Sequence, residues 1–111
     1  MMFADPWSDE FAAHGIGAMA WETYDEGKPD EGERLIVIVP HPERGTEWIQ
    51  VYPMHAPNNW ARPGPVNGWD GNREAPTFNP SIDCSNGGKR PGWHGYIVAG
   101  RVCDTNKSPI D

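Results

Sequence analysis

Residues 34–39 constrain the fold of this chain more than any other stretch. Five consecutive aliphatic residues follow Arg34, and four of them are β-branched, which favours a strand that is buried on both faces. Pro40 and Pro42 end this strand, and the period-two alternation over residues 47–52 predicts a partner strand. The connection between the two is short, so we expect an antiparallel hairpin over 34–52 at the centre of the fold.

Weaker patterns predict elements on either side of this hairpin. Asp5 and Pro6 form a typical helix start and Gly15 a typical helix end, which predicts a short helix over 5–14 that lays Trp7 and Phe11 on a sheet. Residues 19–24 are expected to form an early strand, and 53–76 a long ordered loop.

The second half of the chain is expected to end in a hairpin. The pattern over residues 77–103 predicts further strands, with Pro80 at an edge or a bulge and a tight turn at Ala99 and Gly100. The polar tail over 104–111 is expected to fray. Together these patterns predict one α+β domain over 1–111 that is mostly β. Its expected parts are a small antiparallel sheet of about five strands, a short N-terminal helix and long ordered loops.

Composition and charge exclude several classes of protein. Gly and Pro together make up 25 of 111 residues, but six Trp residues argue against disorder. The net charge of −7 disfavours direct binding to nucleic acid and to anionic membranes, whereas it suits docking on a basic protein surface. The chain carries two cysteines, no stretch of signal-peptide character and no apolar run of membrane-spanning length. We therefore expect a soluble cytoplasmic protein with free thiols.

Histidine and cysteine residues do not form a recognisable site. Their spacing matches no metal-binding array, so no cofactor is predicted; zinc held by His94, His55 and Cys84 is the alternative. A nucleophilic site would pair Cys84 with His94 or His55 as base and Asp83 or Asn79 as orienter. The favoured interpretation is a buried structural thiol and a histidine that hydrogen-bonds a loop carbonyl and packs on a Trp.

Aromatic residues in the loops offer a binding site instead. Trp60, Trp69 and Trp93 lie in stretches rich in Pro, Gly and Asn, where exposed rings would stack on a sugar or form a protein-docking patch. Equally, these rings would pin long loops onto a small core. The predicted binding residues are Trp60, Trp69, Asp70, Asn79, Trp93 and His94.

Three stretches of the second half carry a family resemblance. They are 68–72 (Gly-Trp-Asp-Gly-Asn), 75–82 (Ala-Pro-Thr-Phe-Asn-Pro-Ser-Ile) and 93–102 (Trp-His-Gly-Tyr-Ile-Val-Ala-Gly-Arg-Val). This part, residues 68–102, resembles a group of small bacteriophage and prophage proteins that often carry the label "ammonia monooxygenase". That label does not suit a chain without a membrane-spanning segment.

The family pattern differs from this chain at two positions. The family has Cys before the histidine and Asp before the turn glycine, whereas this chain has Trp93 and Ala99. If the family's Cys-His pair serves a metal or a reaction, half of that pair is missing here. The resemblance implies a phage origin and an accessory role, in the cytoplasm of the infected bacterium or in the virion.

These observations favour a binding protein over an enzyme. The leading hypothesis is a phage accessory protein that binds a host or phage protein with a basic surface, as an acidic inhibitor of a host or defence protein or as a virion-associated module. The alternatives are a small metal- or thiol-dependent enzyme centred on His94, Cys84 and His55, and a glycan-binding module that uses the loop Trp residues.

Overall fold

The computed structural model describes residues 1–23, 33–51, 68–70 and 72–111. These residues form eight strands and one short helix. In chain order the elements are β1 (Met2–Phe3), α1 (Asp9–His14), β2 (Met19–Thr23), β3 (Glu33–His41), β4 (Gly45–Val51), β5 (Gly68–Trp69), β6 (Phe78–Asp83), β7 (His94–Val98) and β8 (Arg101–Cys103). The fold is α+β and mostly β, as the sequence predicts.

The strands form two four-stranded sheets, whereas the sequence predicts one antiparallel sheet of about five strands. The first sheet has the order β1-β2-β3-β4 and the second the order β5-β6-β7-β8. β1 pairs with β2 in parallel, and every other neighbouring pair is antiparallel. The prediction misses β1 and β5 because a two-residue strand is too short to show a period of two.

Strand β3 is buried on both faces, which confirms the central prediction. Leu35, Val37 and Val39 share one apolar cluster with residues of the second sheet, among them Phe78 and Ile97. On the opposite face, Ile36 and Ile38 pack with Phe11 of α1. The molecule therefore has three layers, with the first sheet between the helix and the second sheet.

Helix α1 begins later than the sequence predicts. Ser8, not Asp5, is the N-cap: its Oγ accepts the Phe11 N–H at 3.1 Å, while Asp5 Oδ1 accepts the Trp7 N–H at 2.9 Å in the preceding turn. The helix ends at Gly15 with a positive φ of 75°, as expected. Phe11 packs on the sheet as predicted, but Trp7 precedes the helix and is 60% exposed.

The β3–β4 hairpin is confirmed, with a tighter turn than the sequence suggests. His41 pairs with Gly45, so three residues make the connection. The buried His41 ring organises that turn, because its Nδ1 accepts the N–H groups of Glu43 and Arg44, both at 3.0 Å. Gly45 has a φ of +85°, which suits a three-residue hairpin loop that ends in a bulge.

The later strands agree with the predicted corner at Pro80. Phe78 pairs with Ile97 and Ile82 with Gly95, so the register shifts between Phe78 and Ile82. Pro80 lies inside this irregularity, where the absence of a backbone N–H breaks no ladder hydrogen bond. Most of the predicted loop 53–76 lies outside the described residues; within it, 68–69 form β5 and 72–76 lead into β6.

The C-terminal tail is ordered, so the expectation that it frays is wrong. Asp104 Oδ1 accepts the N–H groups of Asn106 and Ser108 and closes a turn there. The tail then folds back on β8, where the Ile110 N–H donates to Val102 O at 2.9 Å. The polar composition of the tail does not reveal that it is ordered, because an Asp-capped turn needs no apolar residue.

The β7–β8 turn generates a stability prediction. Ala99 has a φ of 50° and Gly100 a φ of 77°, and a left-handed conformation is unfavourable for Ala but well tolerated by Asn. We expect Ala99→Asn to raise the free energy of unfolding by about 0.5–1 kcal/mol, measured by urea denaturation.

Gly100→Ala is the matched control for this turn. Its Cβ would strain the backbone and lie 3.1 Å from Ala75 Cα, so it should destabilise the protein. A lower stability of Ala99→Asn than of the wild type would contradict the turn geometry.

Candidate functional site

Two tryptophan side chains form an exposed stacked pair on the first sheet. Trp48 lies on β4 opposite Ile38, so it shares the sheet face that α1 covers, and Trp7 lies in the turn before α1. Their ring centroids are 5.7 Å apart and the ring planes differ by 25°. Trp7 is 60% exposed and Trp48 40% exposed. Adjacent exposed Trp rings of this kind typically mark a binding surface.

Buried aromatic residues support this pair from below. The Phe11 ring packs edge-on against Trp48, with the centroids 5.1 Å apart, and against Phe3 at 5.7 Å. Phe11 is completely buried between the helix and the sheet. The aromatic contacts therefore continue from the core to the exposed Trp7 ring. They hold Trp48 in place and support Trp7 from one side.

A carboxylate and a backbone turn hold the Trp7 side chain in one orientation. Its Nε1–H donates to Glu22 Oε2 at 2.6 Å, and its backbone N–H donates to Asp5 Oδ1 at 2.9 Å. Arg34 in turn donates to Glu22 Oε1 from Nε and Nη2, and to Gln50 Oε1 from Nη1 at 3.0 Å. Both carboxylate oxygens of Glu22 thus accept hydrogen bonds, and Glu22 holds the Trp7 indole in position.

Strand register explains why these groups lie together. Glu22 pairs with Arg34 across β2 and β3, while Gln50 and Trp48 pair with Ile36 and Ile38 across β3 and β4. All of these residues occupy the same parity of the first sheet and so share its outer face. α1 covers the apolar centre of that face, which leaves the polar row and the two Trp rings at its border.

The arrangement presents two exposed indole rings on a rigid support. We call it the Trp7–Trp48 surface, defined by the two indole rings together with Asp5 and Glu22. An exposed Trp that is already fixed loses little side-chain entropy when a partner covers it, so the ordering cost of binding is reduced.

Charge is distributed unevenly between the two halves of the chain. Residues 1–51 contain eleven acidic side chains and three Lys or Arg, a net charge of −8, and residues 1–27 contain no Lys or Arg. Residues 68–111 contain five of each and are neutral. The acidic half is the one that carries the Trp7–Trp48 surface.

Trp69 and Asp70, two of the predicted binding residues, organise a loop. The half-buried Trp69 ring packs against Trp21 of the first sheet, with the centroids 5.1 Å apart, and its Nε1–H donates to Asn72 O at 3.3 Å. Asp70 Oδ1 accepts the N–H groups of Asn72 and Thr77. These contacts join the two sheets and satisfy the backbone of the loop.

Trp93 is buried, as expected if a loop Trp pins its loop onto the core rather than presenting an exposed ring. It is 6% exposed and belongs to the core between the sheets. Its ring lies across Gly95, where a Cβ would come 2.6 Å from Trp93 Cζ2. The glycine thus makes room for the indole. Asn79 pairs with Gly68 at the edge of the second sheet, and Trp60 and His55 lie outside the described residues.

His94 and Cys84 lie on different sides of the second sheet. His94 is exposed, and its Nε2 lies 3.0 Å from Ser81 Oγ, whereas Cys84 is half-buried and packs against the shared core. The Asp83 carboxylate accepts hydrogen bonds from Ser85, which lower its pKa, and from the Gly87 N–H, so it caps the following turn. Within the described residues, the predicted Cys-His pair is not assembled.

Burial also makes Cys84 a poor nucleophile. Desolvation, with smaller contributions from Glu47 and Asp83, raises the pKa of the Cys84 thiol to about 11. Burial likewise raises the pKa of Cys103. The reactive form of a cysteine is the thiolate, so both residues are in the unreactive form near neutral pH.

The raised pKa gives a testable reactivity. In a Cys103→Ser variant, alkylation of Cys84 by iodoacetamide should be slow at pH 8 and should rise about tenfold for each pH unit up to pH 10. The same chain unfolded in urea is the control and should level off near the ordinary thiol pKa of about 8.5. A rate that levels off near pH 8.5 in the folded protein would contradict this burial.

The structure and the comparisons add three further findings. Among the described residues, no group of three or more His, Cys, Asp or Glu side chains is arranged to hold a metal ion, and no helix is long and apolar enough to cross a membrane. Comparison of the chain with protein-family models, curated proteins and solved structures gave no significant match.

Sequence reasoning missed both residues at the centre of the candidate site. The sequence patterns place Trp7 on a helix face and Trp48 on one side of an alternating strand, and neither pattern shows which Trp stays exposed. The absence of Lys and Arg before residue 28 was the available signal, because it marks the N-terminal part as an acidic surface.

Proposed function

We propose that this chain is a phage accessory protein that acts by binding another protein through the Trp7–Trp48 surface. The observation that carries the proposal is the pair of stacked Trp rings, 60% and 40% exposed, whose positions are already fixed by Glu22, Asp5 and Phe11. Trp is enriched among the few residues that dominate binding energy in protein interfaces. The family resemblance of residues 68–102 supports the phage origin.

Binding is a better account of this chain than thiol catalysis. The thiol of Cys84 has a raised pKa and lies on the core side of the second sheet, while His94 contacts Ser81 on the exposed side. A nucleophilic site needs the two groups within hydrogen-bonding reach and a thiolate at working pH.

The partner is a host or phage protein with a basic surface. A net charge of −8 on the half that carries the Trp7–Trp48 surface favours encounter with a positive partner and disfavours nucleic acid. An inhibitor of a host or defence protein and a module of the virion both fit this description. The identity of the captured partner distinguishes them.

A capture experiment with matched variants tests the proposal. The immobilised wild-type protein, Trp7→Ala and Lys89→Ala are exposed to lysate of infected cells and to disrupted virions at physiological ionic strength. Lys89 is exposed on the second-sheet half and serves as the control substitution. We expect a partner that the wild type and Lys89→Ala retain and that Trp7→Ala binds at least about 30-fold more weakly.

The folded state of the variant is checked in the same preparation. Because Trp7 is largely exposed, Trp7→Ala should keep a cooperative urea transition close to that of the wild type. Equal retention of every captured protein by the wild type and by folded Trp7→Ala would overturn the proposed function.

A further inference from the structure

We infer that the Trp7–Trp48 surface recognises an arginine side chain of its partner, with the guanidinium stacked on the open face of the Trp7 ring. This inference rests on the proposed function and specifies the chemistry of the contact. Trp48 stacks against one face of the Trp7 indole, and the Trp7 residue remains 60% exposed. The face opposite Trp48 is therefore the one that a partner reaches.

The edge of the Trp7 ring is already occupied, which favours a ligand that binds the face. The indole Nε1–H, its only hydrogen-bond donor, is used by Glu22 Oε2 at 2.6 Å. A partner therefore gains little from presenting an acceptor to this ring. The remaining binding surface is the electron-rich face of the ring. Such a face attracts cations, and this attraction is stronger for Trp than for the other aromatic residues.

The carboxylate next to this face is suited to a cation. Asp5 is exposed and uses Oδ1 to accept the Trp7 N–H, and the structure assigns no hydrogen bond to its Oδ2 among the described residues. Arg34 of β3 donates to Glu22 and Gln50, and Arg44 of the β3–β4 turn pairs with Glu47. A cation from the partner is the ligand that the Asp5 carboxylate and the Trp7 ring face would share.

The charge of the surrounding half of the chain supports the same ligand. Residues 1–27 contain six acidic residues and no Lys or Arg, so the side-chain charge of this segment attracts an approaching cation. An acidic field of this kind raises the rate of encounter with a basic surface. It would repel an acidic partner, and it gives no attraction to an uncharged one.

Arginine fits the surface better than lysine. The guanidinium is planar and weakly hydrated, so it stacks on an indole while its N–H groups remain in plane to bond a carboxylate. The chain uses this chemistry internally, where Arg73 Cζ lies 4.7 Å from the centre of the Trp21 ring.

The test uses peptides as probes and the six Trp indole N–H signals as reporters. The ¹⁵N-labelled full chain is titrated with a short capped peptide that contains two arginines. It is also titrated with the same peptide carrying citrulline, which has the same shape without the charge. Trp7→Phe and Trp48→Phe assign the two indole signals. We expect saturable shifts of these two signals and about five- to tenfold weaker binding of the citrulline peptide.

Two aspartate variants separate a local contact from overall charge. Asp5→Asn keeps an oxygen to accept the Trp7 N–H but removes the charge next to the ring. Asp104→Asn makes the same change in another Asp-capped turn, on the second-sheet half. We expect Asp5→Asn to weaken binding of the arginine peptide about threefold or more and Asp104→Asn to leave it unchanged.

The outcomes are distinguishable from those of the capture experiment. Equal binding of the arginine and citrulline peptides, shifts centred on other indoles, or self-association of the chain through Trp7 would overturn the arginine assignment. If a partner is still captured in a Trp7-dependent manner, the proposed function stands without the arginine assignment. Arginine-specific shifts at Trp7 and Trp48 with no captured partner would support the surface chemistry and refute the proposed function.

Discussion

The burial of β3 on both faces is the constraint on which the rest of the structure depends. Leu35, Val37 and Val39 require an apolar layer on one side, which the second sheet supplies, and Ile36 and Ile38 require one on the other, which Phe11 of α1 supplies. A six-residue helix covers only part of a four-stranded sheet. The outer face therefore has a border, and the Trp7–Trp48 surface lies at that border. The exposed aromatic pair is thus a direct consequence of how little of the sheet the helix covers.

The tryptophans divide into structural and exposed residues according to their surroundings. Trp93 lies in the core over Gly95, and Trp21 and Trp69 meet where the two sheets come together, with Arg73 packed on Trp21. Each of these rings stabilises the packing of the sheets. Trp7 contributes little to the core, yet a carboxylate, a turn and an aromatic ring hold it in place. Such fixation of an exposed apolar ring is what recognition requires, because the entropy of ordering is lost on folding rather than on binding.

Local patterns in the sequence predicted the elements whose signals lie within a few residues. The aliphatic run of β3, the hairpin to β4, the turn at Ala99 and the irregularity at Pro80 each follow from the properties of a short segment. The number of sheets does not follow from local patterns, because β1 and β5 are two residues long and depend on partners elsewhere in the chain. The exposure of each Trp could not be predicted either, because local sequence does not show which layer of the fold covers a side chain. The sequence patterns therefore predict binding residues in the loops of the second half, whereas the exposed Trp pair lies in the acidic first half.

The central claim is that Trp7 is exposed and yet immobile. The most direct measurement is ¹⁵N relaxation of the Trp7 indole N–H in the free protein, assigned with Trp7→Phe. The account predicts an order parameter close to that of the rigid backbone, about 0.85, for a ring that is hydrogen-bonded to Glu22 and stacked on Trp48. An order parameter below about 0.6, typical of a flexible group, would contradict the claim that this surface is organised before any partner binds.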